Sequence, residues 1–157
     1  MATLGMRHAV LWVSDPARSA RFYGEALGLV PKAEMDHAVF LTSPDSGTDH
    51  DLGLFRADGD GAPERHVGLY HIAWEVATLA ELVEARQRLQ AMGSYVGESD
   101  HGVSRSIYCK DPDGIEFEVM WEVPVELLDD DRPASGPLDL ETDIARWGAD
   151  RAGRGAT

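Results

Sequence analysis

No run in this 157-residue chain approaches the roughly 20 uninterrupted apolar residues that a membrane-spanning helix needs, and its first residues lack the apolar stretch of a secretion signal. Both absences point to a cytoplasmic protein. Cysteine is nearly missing as well: Cys109 stands alone, so no internal disulfide can form and nothing in the chain asks for an oxidising compartment. It reads as a small buried strand residue. Positive charge is scarce, with 14 Lys and Arg against 28 Asp and Glu and a formal net charge of -14. Such a chain repels phosphate backbones and anionic lipid, which argues against nucleic acid and membrane surfaces as partners. A small anionic substrate stays compatible, because a bound cation outweighs diffuse, salt-screened surface charge. What is present suffices for one core: 43% of the residues are hydrophobic, in a length that suits a single domain.

The organising feature is an internal duplication. Arg7 to Val13 reads as a strand, Ser14-Asp15-Pro16 supplies an N-cap with proline in the first turn, and Ala17 to Leu27 places Ala20, Tyr23 and Leu27 on one helical face before Gly28 stops it. Tyr70 to Val76 repeats the strand about 63 residues later, histidine included, with Thr78 as N-cap, a helix over Leu79 to Met92 and a stop at Gly93. Short strand-like runs follow each helix: Leu29 to Met35, Ala38 to Thr42 and Asp51 to Phe55, then Tyr95 to Glu98, Ser104 to Cys109 and Ile115 to Trp121. Each half is β-α-β-β-β, over about residues 6–56 and 68–122 of a domain spanning 1–122. The Gly, Asp and Pro of Ala57 to Glu64 make a surface linker. The remainder, 123–157, reads as a tail: an acidic Asp129-Asp130-Asp131 run, an unpackable Pro133 to Pro137, and a short helix over about 140–147. That helix rests on the spacing of Leu140, Ile144 and Trp147 between Asp139 and Gly148. Arg151 to Thr157 is expected to be disordered.

Histidines at equivalent positions of two duplicated strands would face each other across a pseudo-two-fold cavity, and His8 and His71 have that relation. One carboxylate on the same cavity completes two neutral imidazoles and an anion, a triad suited to a non-haem ferrous ion with open positions. Glu118 is the candidate, on the last strand of the second half, just after the Asp111-Pro112-Asp113-Gly114 turn and on one strand face with Glu116.

Paired β-α-β-β-β modules with donors at these places resemble the vicinal oxygen chelate superfamily over about residues 6–122. The resemblance implies an α+β fold whose two modules form an open, curled mixed sheet around a metal site. The stretch from His101 through Ile107-Tyr108, Asp111-Pro112 and Gly114 to Glu118 is similar, more specifically, to the signature of extradiol dioxygenases. It departs from the pattern at one position: two residues before the histidine the family favours Gly, Asn, Thr, Ile or Val, and this chain has Ser99. His50-Asp51-Leu52-Gly53-Leu54 is similar to the family's further histidine before the last strand of the first half. What this resemblance implies is a protein that binds a catechol and O2 on Fe(II), or on Mn(II), which accepts the same hard ligands. It implies metal ligation by His8, His71 and Glu118, proton donation near O2 by His50, and hydrogen bonds from His101 and Tyr108 to the diol oxygens. Superfamily precedent adds a homodimer or larger assembly. His37 and His66 are left as surface or loop residues.

The superfamily also holds isomerases, thiol transferases and drug-binding proteins, so the fold alone selects no chemistry. A glyoxalase-like isomerase would want a fourth ligand, a glutamate on the last strand of the first half, where this chain offers Leu54 and Phe55. A fosfomycin-type thiol transferase would leave His50, His101 and Tyr108 unexplained. A metal-free drug-binding protein would not need the triad.

Overall fold

The computed structural model describes residues 6, 8–58, 69–128 and 135–156. Arg7, His66, most of the Ala57 to Glu64 linker and the Asp129 to Asp131 run lie outside the described residues. The chain forms two compact units. One comprises residues 1–64 together with Asp111–Gly114, and the other 65–110 with 115–157.

The first unit contains β1 (Ala9–Val13), α1 (Pro16–Leu27), β2 (Val30–Met35), β3 (Ala38–Thr42) and β4 (Leu52–Arg56). The second contains β5 (Ile72–Glu75), α2 (Leu79–Ala91), β6 (Tyr95–Asp100), β7 (Ser104–Lys110) and β8 (Glu116–Glu122), then a 3-10 turn (Val125–Leu127) and α3 (Leu140–Trp147). Each unit is therefore β-α-β-β-β and carries a four-stranded sheet, ordered β1-β4-β3-β2 and β5-β8-β7-β6. The sheets are mixed and open. β1 runs parallel to β4 and β5 to β8, as a helical crossover requires, while the remaining pairs are antiparallel. No described helix is long and apolar enough to cross a membrane.

Local chemistry explains the helices. The Asp15 carboxylate accepts from Arg18 N at 3.1 Å and Pro16 opens α1, while Gly28 closes it at φ 73°, a left-handed conformation that glycine adopts freely. The buried stripe of α1 runs through Pro16, Ser19, Tyr23 and Ala26. This is rotated from the expected Ala20, Tyr23, Leu27 face; Tyr23, common to both, donates its hydroxyl to Asp111 at 3.1 Å. Thr78 and Glu81 form a reciprocal capping box on α2. Behind β7 and β8, Ile107, Cys109, Phe117, Val119 and Trp121 are all buried. Burial pushes the Cys109 thiol up to about 12, so it is an inert core residue.

Asp113 is a polar anchor of the first unit. Its carboxylate accepts from Ser14 N at 3.1 Å, Ser14 Oγ at 2.6 Å and Arg18 Nη2 at 2.6 Å. Burial pushes its pKa up, but these donors outweigh it and hold the group below the ordinary carboxylate value. A lowered folded-state pKa means stability present above the unfolded value of about 4 and lost as pH falls through the folded one. Asp113→Asn is expected to lower stability at pH 7 by about 1–3 kcal/mol, discounting the half-exposed Arg18 pair. Urea unfolding checks this: the gap to wild type should shrink between pH 5 and pH 3, and a pH-independent gap would contradict it.

The expected disorder of Arg151 to Thr157 is corrected through Ala156. The buried Trp121 donates its indole N–H to Arg151 O at 3.1 Å, Gly153 N donates to Ala77 O at 2.8 Å, Arg154 N to Glu122 O at 3.1 Å, and Gly155 N to the Glu75 carboxylate at 3.0 Å. Backbone hydrogen bonds thus hold a segment whose side chains carry no packing pattern. Gly153 fits because a Cβ there would meet the Trp121 ring at 3.0 Å.

Candidate functional site

In the first unit, His8 stands one residue before β1, so the strand begins later than the expected Arg7. Its neighbour Ala9 is fixed by donating N–H to Asp51 O at 3.0 Å. His50 lies on the loop entering β4, and the two imidazoles stack at 4.5 Å between centroids with a 31° tilt. The Phe40 ring packs edge-on against His50 at 5.0 Å, and Asp49 Oδ2 lies 3.1 Å from its Nδ1. The loop is shaped by the residue after His50. Asp51 accepts from Ser43 N at 2.7 Å, Thr48 Oγ1 at 2.7 Å and Thr42 Oγ1 at 3.3 Å. Burial pushes Asp51 up, yet the donors, Thr48 foremost, hold its pKa below the usual range, so it stays an acceptor at neutral pH. His37 sits apart, edge-on to Phe55 at 6.3 Å.

In the second unit, His71 likewise precedes its strand by one residue, and β5 begins at Ile72 rather than Tyr70. The equivalence of the two histidines survives this shift because the registers match: Ala9 lies opposite Leu52 on β4, and Ile72 opposite Phe117 on β8. The next pairs are Val10 with Gly53 and Ala73 with Glu118. The position of the first unit that corresponds to Glu118 is therefore Gly53, not Leu54 or Phe55, and it has no side chain at all.

Glu118 is 7% exposed and lies directly opposite Tyr108 across the β7–β8 pair. His71 Nε2 is 3.1 Å from Glu118 Oε2, while Nδ1 is buried without a hydrogen-bond partner among the described residues, 3.9 Å from Glu116. Gly102, at φ 72°, lets the chain turn so that His101 N donates to Ser104 O at 3.0 Å. The turn brings His101 Nε2 to 2.7 Å from the Tyr108 hydroxyl. The Tyr108 ring in turn is 5.8 Å from that of His71. Burial, then the negative charges of Glu118 and other acidic neighbours, raise the Tyr108 pKa, so its hydroxyl stays protonated.

Of the candidates read from the sequence, His8 and His50 meet in the first unit, and His71, Glu118, Tyr108 and His101 form a connected group in the second. Among the described residues, no three His, Cys, Asp or Glu side chains are gathered as a metal cage. The second-unit pair nevertheless fits a divalent first-row ion: an imidazole nitrogen and a buried carboxylate oxygen converge at 3.1 Å, and a cation would compensate a charge withdrawn from water. Sequence reading missed Phe40, Asp51 as the organiser of the His50 loop, Tyr70 at 4.7 Å from His71, and the significance of Gly53. For Asp51 a signal existed in the Thr and Ser residues ahead of it. For Gly53 only the strand register carries one.

Residues 5–119 match the family model described as "Glyoxalase/Bleomycin resistance protein/Dioxygenase superfamily". The chain is 33% identical over 118 residues to a biphenyl-2,3-diol 1,2-dioxygenase from Rhodococcus globerulus, covering 73% of this chain and 61% of that protein. It is 32% identical over 129 residues to a catechol-2,3-dioxygenase from Bacillus subtilis (strain 168), covering 80% and 44%. The chain thus spans about half the length of these curated relatives. Among solved structures, a glyoxylase/bleomycin resistance protein/dioxygenase domain from Frankia sp. EAN1pec superposes with a TM-score of 0.62 at 23% identity, covering 77% of this chain and 99% of that one. A fosfomycin resistance protein from Listeria monocytogenes superposes at 0.60 with 24% identity, covering 76% and 93%. Both likenesses concern the fold.

Proposed function

Since this chain belongs to the glyoxalase/bleomycin resistance protein/dioxygenase superfamily, we propose that it is an iron(II)-dependent extradiol dioxygenase, opening a catechol ring beside the diol and placing both atoms of O2 in the product. His8, His71 and Glu118 hold the metal, and manganese suits the same donors. The observation that carries this reading is the Tyr108 hydroxyl, placed opposite a buried carboxylate donor and 2.7 Å from His101. An isomerase needing a fourth ligand, a carboxylate, finds only Gly53 at the corresponding register. A thiol transfer gives the His101–Tyr108 pair no task. The relatives named as a biphenyl-diol and a catechol dioxygenase favour the same choice.

When bound, ferrous iron supplies adjacent open positions for the diol and O2 and an electron source for O2. The protein's part is to orient and to move protons. Tyr108, held protonated, donates to one diol oxygen while its own oxygen accepts from His101 Nε2–H, 2.7 Å away, which fixes the direction of the hydroxyl. His50, wedged between the His8 and Phe40 rings, holds a proton for delivery on the O2 side. Asp49 Oδ2, 3.1 Å from Nδ1, helps to orient the His50 ring.

Anaerobic titration with 4-nitrocatechol tests the proposal. Iron-loaded protein should bind one equivalent per iron as the dianion, seen in the visible spectrum, and a metal-free drug-binding protein would show neither. Tyr108→Phe should keep its iron and bind about tenfold more weakly, the effect of losing one charge-assisted hydrogen bond. Unchanged affinity would remove Tyr108 from the diol.

A further inference from the structure

We propose that the C-terminal segment is a positioning device for His101, acting through Arg105 and Asp143. The proposal takes from the dioxygenase reading only what His101 does, not how it is held. The turn that carries His101 is fixed at its base by Asp100, whose Oδ1 accepts from Gly102 N at 2.6 Å and from Arg105 Nη1 at 2.7 Å. Arg105 is 6% exposed, and the other side of its guanidinium forks onto Asp143 of α3, Nε at 2.5 Å and Nη2 at 3.2 Å. The Trp147 ring covers the same guanidinium at 5.1 Å. α3 therefore holds Arg105, Arg105 holds Asp100, and Asp100 holds the turn.

A second attachment is independent of the first. Ser135 and Gly136 add to the edge of β6: Asp100 N donates to Gly136 O at 2.9 Å and Gly136 N to Asp100 O at 2.8 Å. Ser99 Oγ lies 3.0 Å from Ser135 Oγ and donates to Gly136 O at 3.3 Å. Ser99 is the residue at which the chain departs from the extradiol signature, and its hydroxyl grips the tail, which of the favoured residues Asn and Thr have a polar group to do and Gly, Ile and Val do not.

Stability alone accounts poorly for this cluster, because a buried arginine between two carboxylates is commonly no more stabilising than apolar packing of the same volume. A bidentate fork does fix angle as well as distance. That precision matters where a ring nitrogen must meet a hydroxyl at 2.7 Å, since misplacement by about 1 Å costs about 100-fold in a site of this kind.

The test compares Asp143→Asn and Arg105→Lys, which keeps the charge but loses the fork, in the iron-loaded full chain. Both should retain iron and bind 4-nitrocatechol anaerobically about tenfold more weakly, with no further weakening when either is added to His101→Ala. In the zinc-substituted protein, chosen because zinc is diamagnetic, the His101 ring nitrogens should shift in both variants while those of His37 stay put. A lower melting temperature with unchanged affinity and unchanged His101 signals would overturn the proposal. If wild type binds no catechol, the dioxygenase reading falls alone, and the His101 signals still decide this proposal: a shift sustains it and no shift overturns it. Should Asp143→Asn fail to fold, Arg105→Lys and Ser99→Val carry the same comparison.

Discussion

Glu118→Gln, His8→Ala and His71→Ala are each expected to lose bound iron, with affinity falling at least about 100-fold, because losing only an outer partner of a ligand already costs about 10–100-fold. Glu118→Gln is the most informative of the three. It preserves shape and the contact with His71 Nε2 but removes the anion that balances the metal's charge. Glu118 is 7% exposed, and its Oε2 lies 3.1 Å from His71 Nε2, so a bound cation would balance a charge withdrawn from water. The amide variant should therefore fold at least as stably as metal-free wild type while binding no iron. Iron measured on protein purified without air checks this, with circular dichroism to establish that each variant is folded. A variant that keeps its full metal load takes that residue out of the site.

His50→Gln is expected to lower turnover by about 10²–10⁴-fold while leaving anaerobic catechol affinity within about twofold, the range that removal of a positioned proton donor produces. The split follows from the placement of His50. It is fixed by the His8 and Phe40 rings and by the Asp51 loop, and the diol is assigned to His101 and Tyr108 instead. Loss of binding with turnover of bound substrate intact would reverse the assignment.

The duplicated β-α-β-β-β plan was legible because each half begins with the same punctuation: a histidine, an alternating strand, an Asp or Thr cap, and a glycine stop. Strand ends were less legible. Both histidines stand just outside their strands, and what makes them equivalent is the register of β1 on β4 and β5 on β8, which no local pattern encodes. The same register puts Gly53 opposite Val10, where the sequence suggested Leu54 or Phe55.

Glu118 was legible only through its distance from the Asp111-Pro112-Asp113-Gly114 turn, since alternation along β8 does not tell it from Glu116 on the same face. The carboxylates of that turn have structural work, taking hydrogen bonds from Tyr23, Ser14 and Arg18. His50 and His101 came from resemblance to a signature, because loop residues carry no periodicity, and so did Tyr108, because alternation in β7 does not separate a functional aromatic from a packed one. Arg105 and the segment after α3 escaped: a buried arginine in a strand looks solvent-exposed until Asp143 and Trp147 meet it, and a glycine-rich terminus does until Trp121 does.

The central claim is tested most directly by oxygen uptake. Protein loaded anaerobically with ferrous iron and mixed with aerated buffer and a panel of substituted catechols should consume one O2 per catechol for at least one member. The product should be a yellow ring-opened semialdehyde in which both new oxygen atoms derive from O2. Iron-replete protein that takes up no O2 with any catechol, yet isomerises a glutathione adduct, would contradict the account.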